Sequence, residues 1–363
     1  MRGLGDVPLS TRVVIIGGFL GAGKTTLINR LGRELNAKGS RVGLITNDQG
    51  EELVDTQYSK EMGMEVSEVL RGCFCCHFND LLQSARVLAQ GRPDIILAEP
   101  VGSCTDLLAT VVAPLKLIYP TEFTIAPLII LADSSRLAEE AVDPESLSGY
   151  LRQHQILEGE YIVLTKTDRL KPEQLSLVRE AISQLNPQAQ IIEYSSLTGK
   201  NLDRILAVIL SESISKRAPV DIDYDRYAEA EAELGWYNGT VRFDAEHADA
   251  YDLCLSTLKG IADAYHPGDI AHAKVLLRSP SSVAKMSLVK GQISVDLVRG
   301  SRYADGESVL TINARIVSAP ELLRDNVRQA ADVALRVRGL RKSSLKDDCF
   351  SPSRPNPTHR LRE

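Results

Sequence analysis

The sequence lacks an apolar run of membrane-spanning length. Its longest, Thr124 to Ala132, contains Pro127 and is of strand size, so no membrane role is expected. Basic residues are not in excess: 48 acidic against 42 basic side chains give a formal charge of −6. That balance argues against a nucleic-acid partner, while leaving room for a local basic patch. Behind Met1 to Asp6 there is no apolar core of a signal peptide, and a cytoplasmic location is the expectation. No internal repeat is present. Six cysteines in 363 residues are too few for a disulfide framework. Cys73, Cys75 and Cys76 crowd together; Cys104, Cys254 and Cys349 stand apart. In a reducing compartment such clustering points to metal or redox chemistry.

What is present is 44% apolar and 25% charged residues, an ordinary globular balance with room for two domains. Gly18-Phe19-Leu20-Gly21-Ala22-Gly23-Lys24-Thr25 matches the phosphate-loop pattern G-x-x-x-x-G-K-[ST] at every fixed position. Before it, Arg12 to Gly17 reads as a buried strand. After it, Leu27, Leu31 and Leu35 fall on one face of a helix. Gly18, Gly21, Ala22 and Gly23 would let backbone N–H groups wrap a phosphate, with the helix N-terminus at Lys24, Thr25 and Thr26 behind them. Lys24 would reach the outer phosphates and the Thr25 hydroxyl would hold Mg²⁺. A nucleoside triphosphate is the expected ligand.

Strand signals continue at Arg41–Thr46, Asp94–Ala98, Leu128–Ala132, Tyr161–Thr165 and Gln190–Tyr194. Helical stretches lie between them at Asn79–Gln90, Ser103–Leu117, Pro144–Leu157, Pro172–Leu185 and Asn201–Leu210. This alternation predicts an α/β fold, a P-loop NTPase with a doubly wound, mostly parallel sheet. The expected organisation is a P-loop domain over 1–215, an acidic linker over 216–238, a small α+β domain over 239–340 and a disordered tail over 341–363. In the α+β part, strands are expected at Gly239–Phe243, Ile270–Leu277, Ala284–Val289, Gln292–Val298 and Val309–Val317. Helices are expected at Asp249–Tyr265 and Pro320–Val337.

Three further groups carry chemistry. Thr165-Lys166-Thr167-Asp168 fits the [NT]-K-x-D base-recognition pattern after a strand. There Asp168 would accept the guanine N1–H and 2-amino hydrogens, Lys166 would lie along the base, and backbone N–H groups near Ser196 would meet O6. Asp48 and Glu99, each at a strand end, are the candidate carboxylates for Mg²⁺ and the attacking water, with Lys24 completing the catalytic set. Gly102 would let the backbone sense the γ-phosphate. Between these carboxylates lies Cys73-Phe74-Cys75-Cys76-His77, whose thiolates would take a soft or borderline divalent ion. Zn²⁺ is the default, with Co²⁺, Ni²⁺ or Fe²⁺ as alternatives. A fourth position would fall to water, His77, Cys104 or a partner.

Taken in order, these segments resemble the CobW-type P-loop GTPases, relatives of the nickel chaperones HypB and UreG and of the cobalamin-enzyme chaperone MeaB. Cys73-x-Cys75-Cys76 looks like the family's C-x-C-C metal motif, and Ile270 to Lys274 like one of its C-terminal strands. The resemblance implies a GTPase that binds GTP and Mg²⁺ at Lys24, Thr25, Asp48 and Glu99, carries a metal on its cysteines and delivers it to a client metalloenzyme or cofactor enzyme. Nucleotide-dependent homodimers are common among these relatives. The alternative is a GTP-gated protein chaperone for a cobalamin- or other cofactor-dependent enzyme, with structural cysteines. A small-molecule kinase is a third reading of the same loop. The chain departs from the family twice: Glu99-Pro100-Val101-Gly102-Ser103-Cys104 replaces the usual Glu-Thr-Thr/Ser-Gly, and Thr165 stands where asparagine is usual.

Overall fold

The computed structural model describes residues 10–48, 65–70, 73–140, 142–143 and 145–362. They fall into two compact units, one holding the residues up to 227 together with 355–362, the other 228–354.

The first unit is built on a parallel sheet. Its strands are β1 (Thr11–Gly18), β2 (Val42–Asp48), β3 (Glu65–Leu70), β4 (Ile95–Glu99), β5 (Phe123–Ile125), β6 (Ile129–Asp133), β7 (Tyr161–Thr165) and β8 (Gln190–Glu193). They run in the order β3-β2-β4-β1-β6-β7-β8, with β5 on β1. β1, β4, β6 and β7 read as unbroken apolar runs because a parallel sheet is covered on both faces. The apolar stretch around Pro127 becomes two strands. β5 pairs with Thr11 to Val13 and β6 with Ile16 to Gly18, since proline has no N–H for the ladder between them.

Crossover helices are α1 (Lys24–Ala37), α2 (Phe78–Gln90), α3 (Ala113–Ile118), α4 (Ser134–Glu139), α5 (Leu147–Glu158), α6 (Pro172–Leu185) and α7 (Leu202–Leu210). Leu27, Ile28, Leu31 and Leu35 of α1 and Ile205, Leu206 and Ile209 of α7 pack with Val14, Ile16, Leu97 and Leu131 of the sheet in one core. The helix expected from Ser103 departs from expectation. Helical structure starts only at a π-helical turn, Leu108–Val112, because Asp106 is left-handed at φ 62°. The strands β3 and β5 and the helix α4 were not expected from the pattern.

In the second unit an antiparallel sheet runs β12-β11-β10-β13-β9-β14. Its strands are β9 (Leu234–Asp249), β10 (Ile270–Arg278), β11 (Ser282–Val289), β12 (Gln292–Gly300), β13 (Tyr303–Val317) and β14 (Lys342–Phe350). The helices α9 (Ala250–Ala262) and α10 (Pro320–Arg336) cover one face over a core of Val241, Leu253, Leu258, Val275, Met286, Ile312 and Val327. This is the antiparallel α+β arrangement that strand-rich patterning predicts.

The 216–238 stretch, read as an acidic linker and helix whose Tyr and Trp residues pack against a domain, contains a helix, α8 (Tyr224–Ala232), and the start of β9. Its Trp236 is fully buried, with the Arg315 guanidinium 4.1 Å over the ring. The expected disordered tail instead supplies the edge strand β14, paired with β9 from Trp236 to Phe243. Asp347 fixes it through two 2.7 Å bonds from Arg328 and one of 3.1 Å from Tyr237. A polar edge strand hides its strand character, since only one face is buried and charge protects the rim. Among the described residues no helix is long and apolar enough to cross a membrane.

Candidate functional site

The phosphate loop leaves β1 at Gly18, whose φ of 130° and position exclude a side chain: a Cβ there would sit 2.3 Å from the Leu131 carbonyl oxygen. The loop closes through Ala22 N–H to the Phe19 carbonyl at 3.1 Å and enters α1 with Gly23 left-handed at φ 92°. The Lys24 ammonium, buried, donates to the carbonyls of Gly18 at 2.8 Å and Phe19 at 3.4 Å. Thr25 donates its hydroxyl to Glu99 Oε1 at 2.8 Å. Two residues far apart in sequence meet here because β4 lies beside β1. Thr26 is exposed. The Asp48 side chain lies outside the described residues. Its neighbour Asn47 donates to the Val69 carbonyl at 3.1 Å and accepts from Phe74 N–H at 2.9 Å. Asn47 therefore ties the end of β2 to the cysteine loop, a connection that sequence spacing did not suggest.

At the other end of the sheet, the Thr165 hydroxyl donates to the Ala22 carbonyl of the phosphate loop at 2.9 Å. The threonine thus supplies a side-chain link from the β7 end to the loop. Lys166, left-handed at φ 56°, places its ammonium 2.6 Å from Asp133 Oδ2. Burial raises the Asp133 carboxyl, but Lys166, the Ser135 hydroxyl and the Arg136 N–H outweigh it and hold the net value low. Asp168 accepts from the Ser195 hydroxyl at 2.5 Å, and Ser195 in turn accepts from Thr198 N–H at 3.2 Å. The Ser196 carbonyl accepts from Arg30 at 2.6 Å. The signal for Asp133 and Ser195 was position alone, each being a polar residue at the end of, or just past, a parallel strand.

The Glu99–Cys104 segment runs directly from the phosphate loop to the thiols. Gly102 packs on that loop so closely that a Cβ would lie 2.6 Å from Leu20 Cδ2 and 3.0 Å from Leu20 N. Gln155 of α5 donates its amide to the carbonyls of Gly102 and Cys104, both at 2.9 Å. Next in the chain, Thr105 donates its hydroxyl to Glu158 at 3.0 Å; Asp106 and Leu108 donate their N–H groups to the same carboxylate at 2.5 and 2.8 Å. The sulfurs of Cys73, Cys75 and Cys104 lie within 4.8 Å of one another, all buried. Cys76 stands at the edge of this group, half-buried, its sulfur 3.7 Å from that of Cys75. His77 immediately precedes α2, and its ring is outside the three-sulfur group. Hydrogen bonds from Cys104, then Cys75 and Cys76, hold Cys73 well below the ordinary thiol value. The Cys73 contact pushes Cys76 up to about 11. One thiolate shared among thiols is a donor set ready for a soft or borderline cation.

Burial pushes the Glu158 carboxyl up to about 8; its hydrogen bonds oppose the shift and the Asp106 charge adds to it. A folded value above the unfolded one of about 4.3 means that Glu158 stabilises the fold at low pH. The contribution drains away between about pH 4.3 and 8, with a slope approaching ~1.4 kcal/mol per pH unit. Urea unfolding of the native chain and Glu158→Gln at about pH 5.5 and about pH 8.5 checks this, because the variant cannot titrate there. The stability difference between them should shrink as pH rises; a constant difference would remove the assignment.

A nucleotide-binding domain model described as CobW/HypB/UreG matches residues 12–193, half of the chain. Similar proteins include the zinc chaperone CobW of Sinorhizobium sp, 28% identical over 69% of this chain and 73% of that protein. The zinc chaperone YeiR of Escherichia coli is 29% identical over 53% of this chain and 58% of its own length. The zinc-regulated GTPase metalloprotein activator 1 of Schizosaccharomyces pombe is 28% identical over 50% of this chain. The chain spans 45% of that last relative, so it matches most of the first but about half of the others. The phosphate loop, the strand-end carboxylate and the parallel sheet that joins them are thus those of a known lineage: the chain belongs to the CobW/HypB/UreG family.

Proposed function

We propose that this chain is a GTP-hydrolysing metallochaperone. It takes a divalent transition metal, zinc foremost, onto Cys73, Cys75 and Cys104 and hands it to a client protein in a step timed by GTP. One observation carries the reading: the short segment that begins with the Thr25-bonded carboxylate of Glu99 and packs on the phosphate loop at Gly102 ends in a thiol of the sulfur cluster. A backbone change of a few tenths of an ångström at Gly102 would therefore reach a metal ligand two residues later. The family relatives named as zinc chaperones favour the same cargo.

In this reading Gly18 to Thr26 cradle the phosphates through backbone N–H groups, and Lys24 exchanges its loop carbonyls for phosphate oxygens. The Thr25 and Glu99 oxygens, 2.8 Å apart, are a hard donor pair that fits Mg²⁺, with Asp48 as a further carboxylate. When bound, that ion neutralises charge developing on the β- and γ-phosphates. Glu99 also orients the attacking water. Thr165 and Lys166 hold the base pocket against the phosphate loop, Asp168 reads guanine, and the backbone after Ser195, at Ser196, faces O6. Three thiolates leave a fourth coordination position open, which suits a metal that must be passed on.

The test is Zn²⁺ affinity, measured against a chromophoric chelator, in the presence of GDP and of a non-hydrolysable GTP analogue. The expected difference is about tenfold, a coupling of ~1.4 kcal/mol, and by linkage Zn²⁺ must change analogue affinity by the same factor. Equal Zn²⁺ affinity in the two nucleotide states would refute the timing.

A further inference from the structure

We propose that the C-terminal segment Pro355–Leu361 is a strap over the thiol site that restricts access to Cys76, and that it must lift before a metal can leave. The inference rests on the metallochaperone reading for its second half only.

The strap runs across both segments that supply the sulfurs. On one side, Thr358 donates its N–H to the Cys75 carbonyl at 2.9 Å and its hydroxyl to the Cys76 carbonyl at 3.0 Å. Asn356 N–H donates to the Cys76 sulfur itself at 3.2 Å. His359 stands edge-on to Phe78, ring centres 5.0 Å apart. On the other side, Arg360 donates to Asp106 Oδ2 at 2.8 Å and stacks over the Tyr224 ring at 5.5 Å. Tyr224 donates its hydroxyl to the same Asp106 oxygen at 2.7 Å, and Leu361 N–H reaches the Ala109 carbonyl at 2.9 Å. Cys75 and Cys76 belong to one wall of the site; Asp106 and Ala109 follow Cys104 in the other.

The sequence explains why this segment lies flat. Pro355 and Pro357 fix φ and have no N–H, so the chain is already extended before it docks. Asn356 and Thr358 keep their N–H groups, two residues apart as on a strand, and both point these donors at the cysteine loop. Pro355 is buried, whereas Asn356 and Thr358 are exposed. A segment held by a handful of partly exposed hydrogen bonds and one ion pair belongs to the low-stability end of a fold, where local opening is frequent. Its anchor Asp106 lies four residues beyond Gly102 in the chain, so a shift of the nucleotide-facing loop bears on the ion pair with Arg360.

The experiment compares the full chain with a chain ending at Arg354 and with Arg360→Gln and Thr358→Ala. In the reduced, metal-free proteins, the rate at which iodoacetamide labels Cys76 is followed by peptide mass spectrometry. Labelling should rise about tenfold on truncation and about threefold in each point variant. Losing the Asn356 N–H donor would by itself disfavour the Cys76 thiolate and slow labelling, so acceleration reports access. In the Zn²⁺-loaded proteins, transfer to a chromophoric chelator should accelerate by a similar factor, with GTP turnover unchanged. Unchanged Cys76 labelling in all three variants overturns the strap, whatever the metal result. If the truncated chain fails to fold, the two point variants decide. A native chain that binds no Zn²⁺ refutes the metallochaperone reading, and the labelling rates still decide the strap.

Discussion

Replacing Cys104 with serine should lower Zn²⁺ affinity by about a hundredfold or more, while the same change at Cys76 should cost less than about tenfold. The asymmetry follows from the sulfur geometry. Cys104 shares a buried group with Cys73 and Cys75, whereas Cys76 lies outside that group, half-exposed beside Cys75. A serine hydroxyl is a poor ligand for a borderline-soft ion, and at a buried position no water can enter freely to replace the lost thiolate. Competition titration against a chelator measures both variants, with Cys73→Ser as the reference for loss of a core ligand. Equal and small effects at Cys73, Cys75 and Cys104 would make the cluster a packing feature. A large effect at Cys76 with none at Cys104 would return the ligand set to the contiguous C-x-C-C motif. Cys76→Ser is expected instead to alter the rate of metal transfer, because its sulfur is the outermost of the four.

Asp168→Asn should weaken GTP binding by about a hundredfold and improve binding of xanthosine triphosphate. In the proposed reading the carboxylate would present two acceptors to the guanine N1–H and 2-amino group. An asparagine turns one of them into a donor that meets N1–H or the amino group head-on, and suits the 2-carbonyl of xanthine. The Ser195 hydroxyl, 2.5 Å from Asp168 Oδ1, holds the carboxylate in place, so Ser195→Ala should cost about tenfold or less without changing base preference. Fluorescent-nucleotide titrations and turnover with each triphosphate give both answers. Retained preference for GTP in Asp168→Asn would remove the role given to this residue.

The parts of the site that were legible from sequence are those whose chemistry is local. The phosphate loop is eight consecutive residues whose glycine conformations and following helix are set by near neighbours. The apolar strands β1, β4, β6 and β7 announce themselves because a parallel sheet buries both faces. Less legible were elements whose identity depends on what lies beside them. β3 and β14 are polar strands at sheet edges, defined by pairing with β2 and β9. The expected helix at Ser103 yields to a turn because Glu158, from a helix 52 and 50 residues away in sequence, takes the N–H groups of Asp106 and Leu108.

By itself, then, the sequence determined a phosphate-loop pattern, a parallel α/β sheet, a T-K-x-D motif at a strand end and a supply of thiols. Each is encoded by residue type and short-range spacing. Only the tertiary structure decided which thiols form a group. The chain turns sharply after Cys73, with His77 N–H bonded to the Cys73 carbonyl at 2.9 Å, and leaves the Cys76 sulfur beside that of Cys75 but outside the buried three-sulfur group. The third sulfur of the group comes instead from Cys104, carried in at the end of the β4 segment. The tertiary structure also decided that the last residues lie over that group rather than trailing away. Both outcomes depend on contacts between residues tens to hundreds of positions apart, which no local pattern encodes.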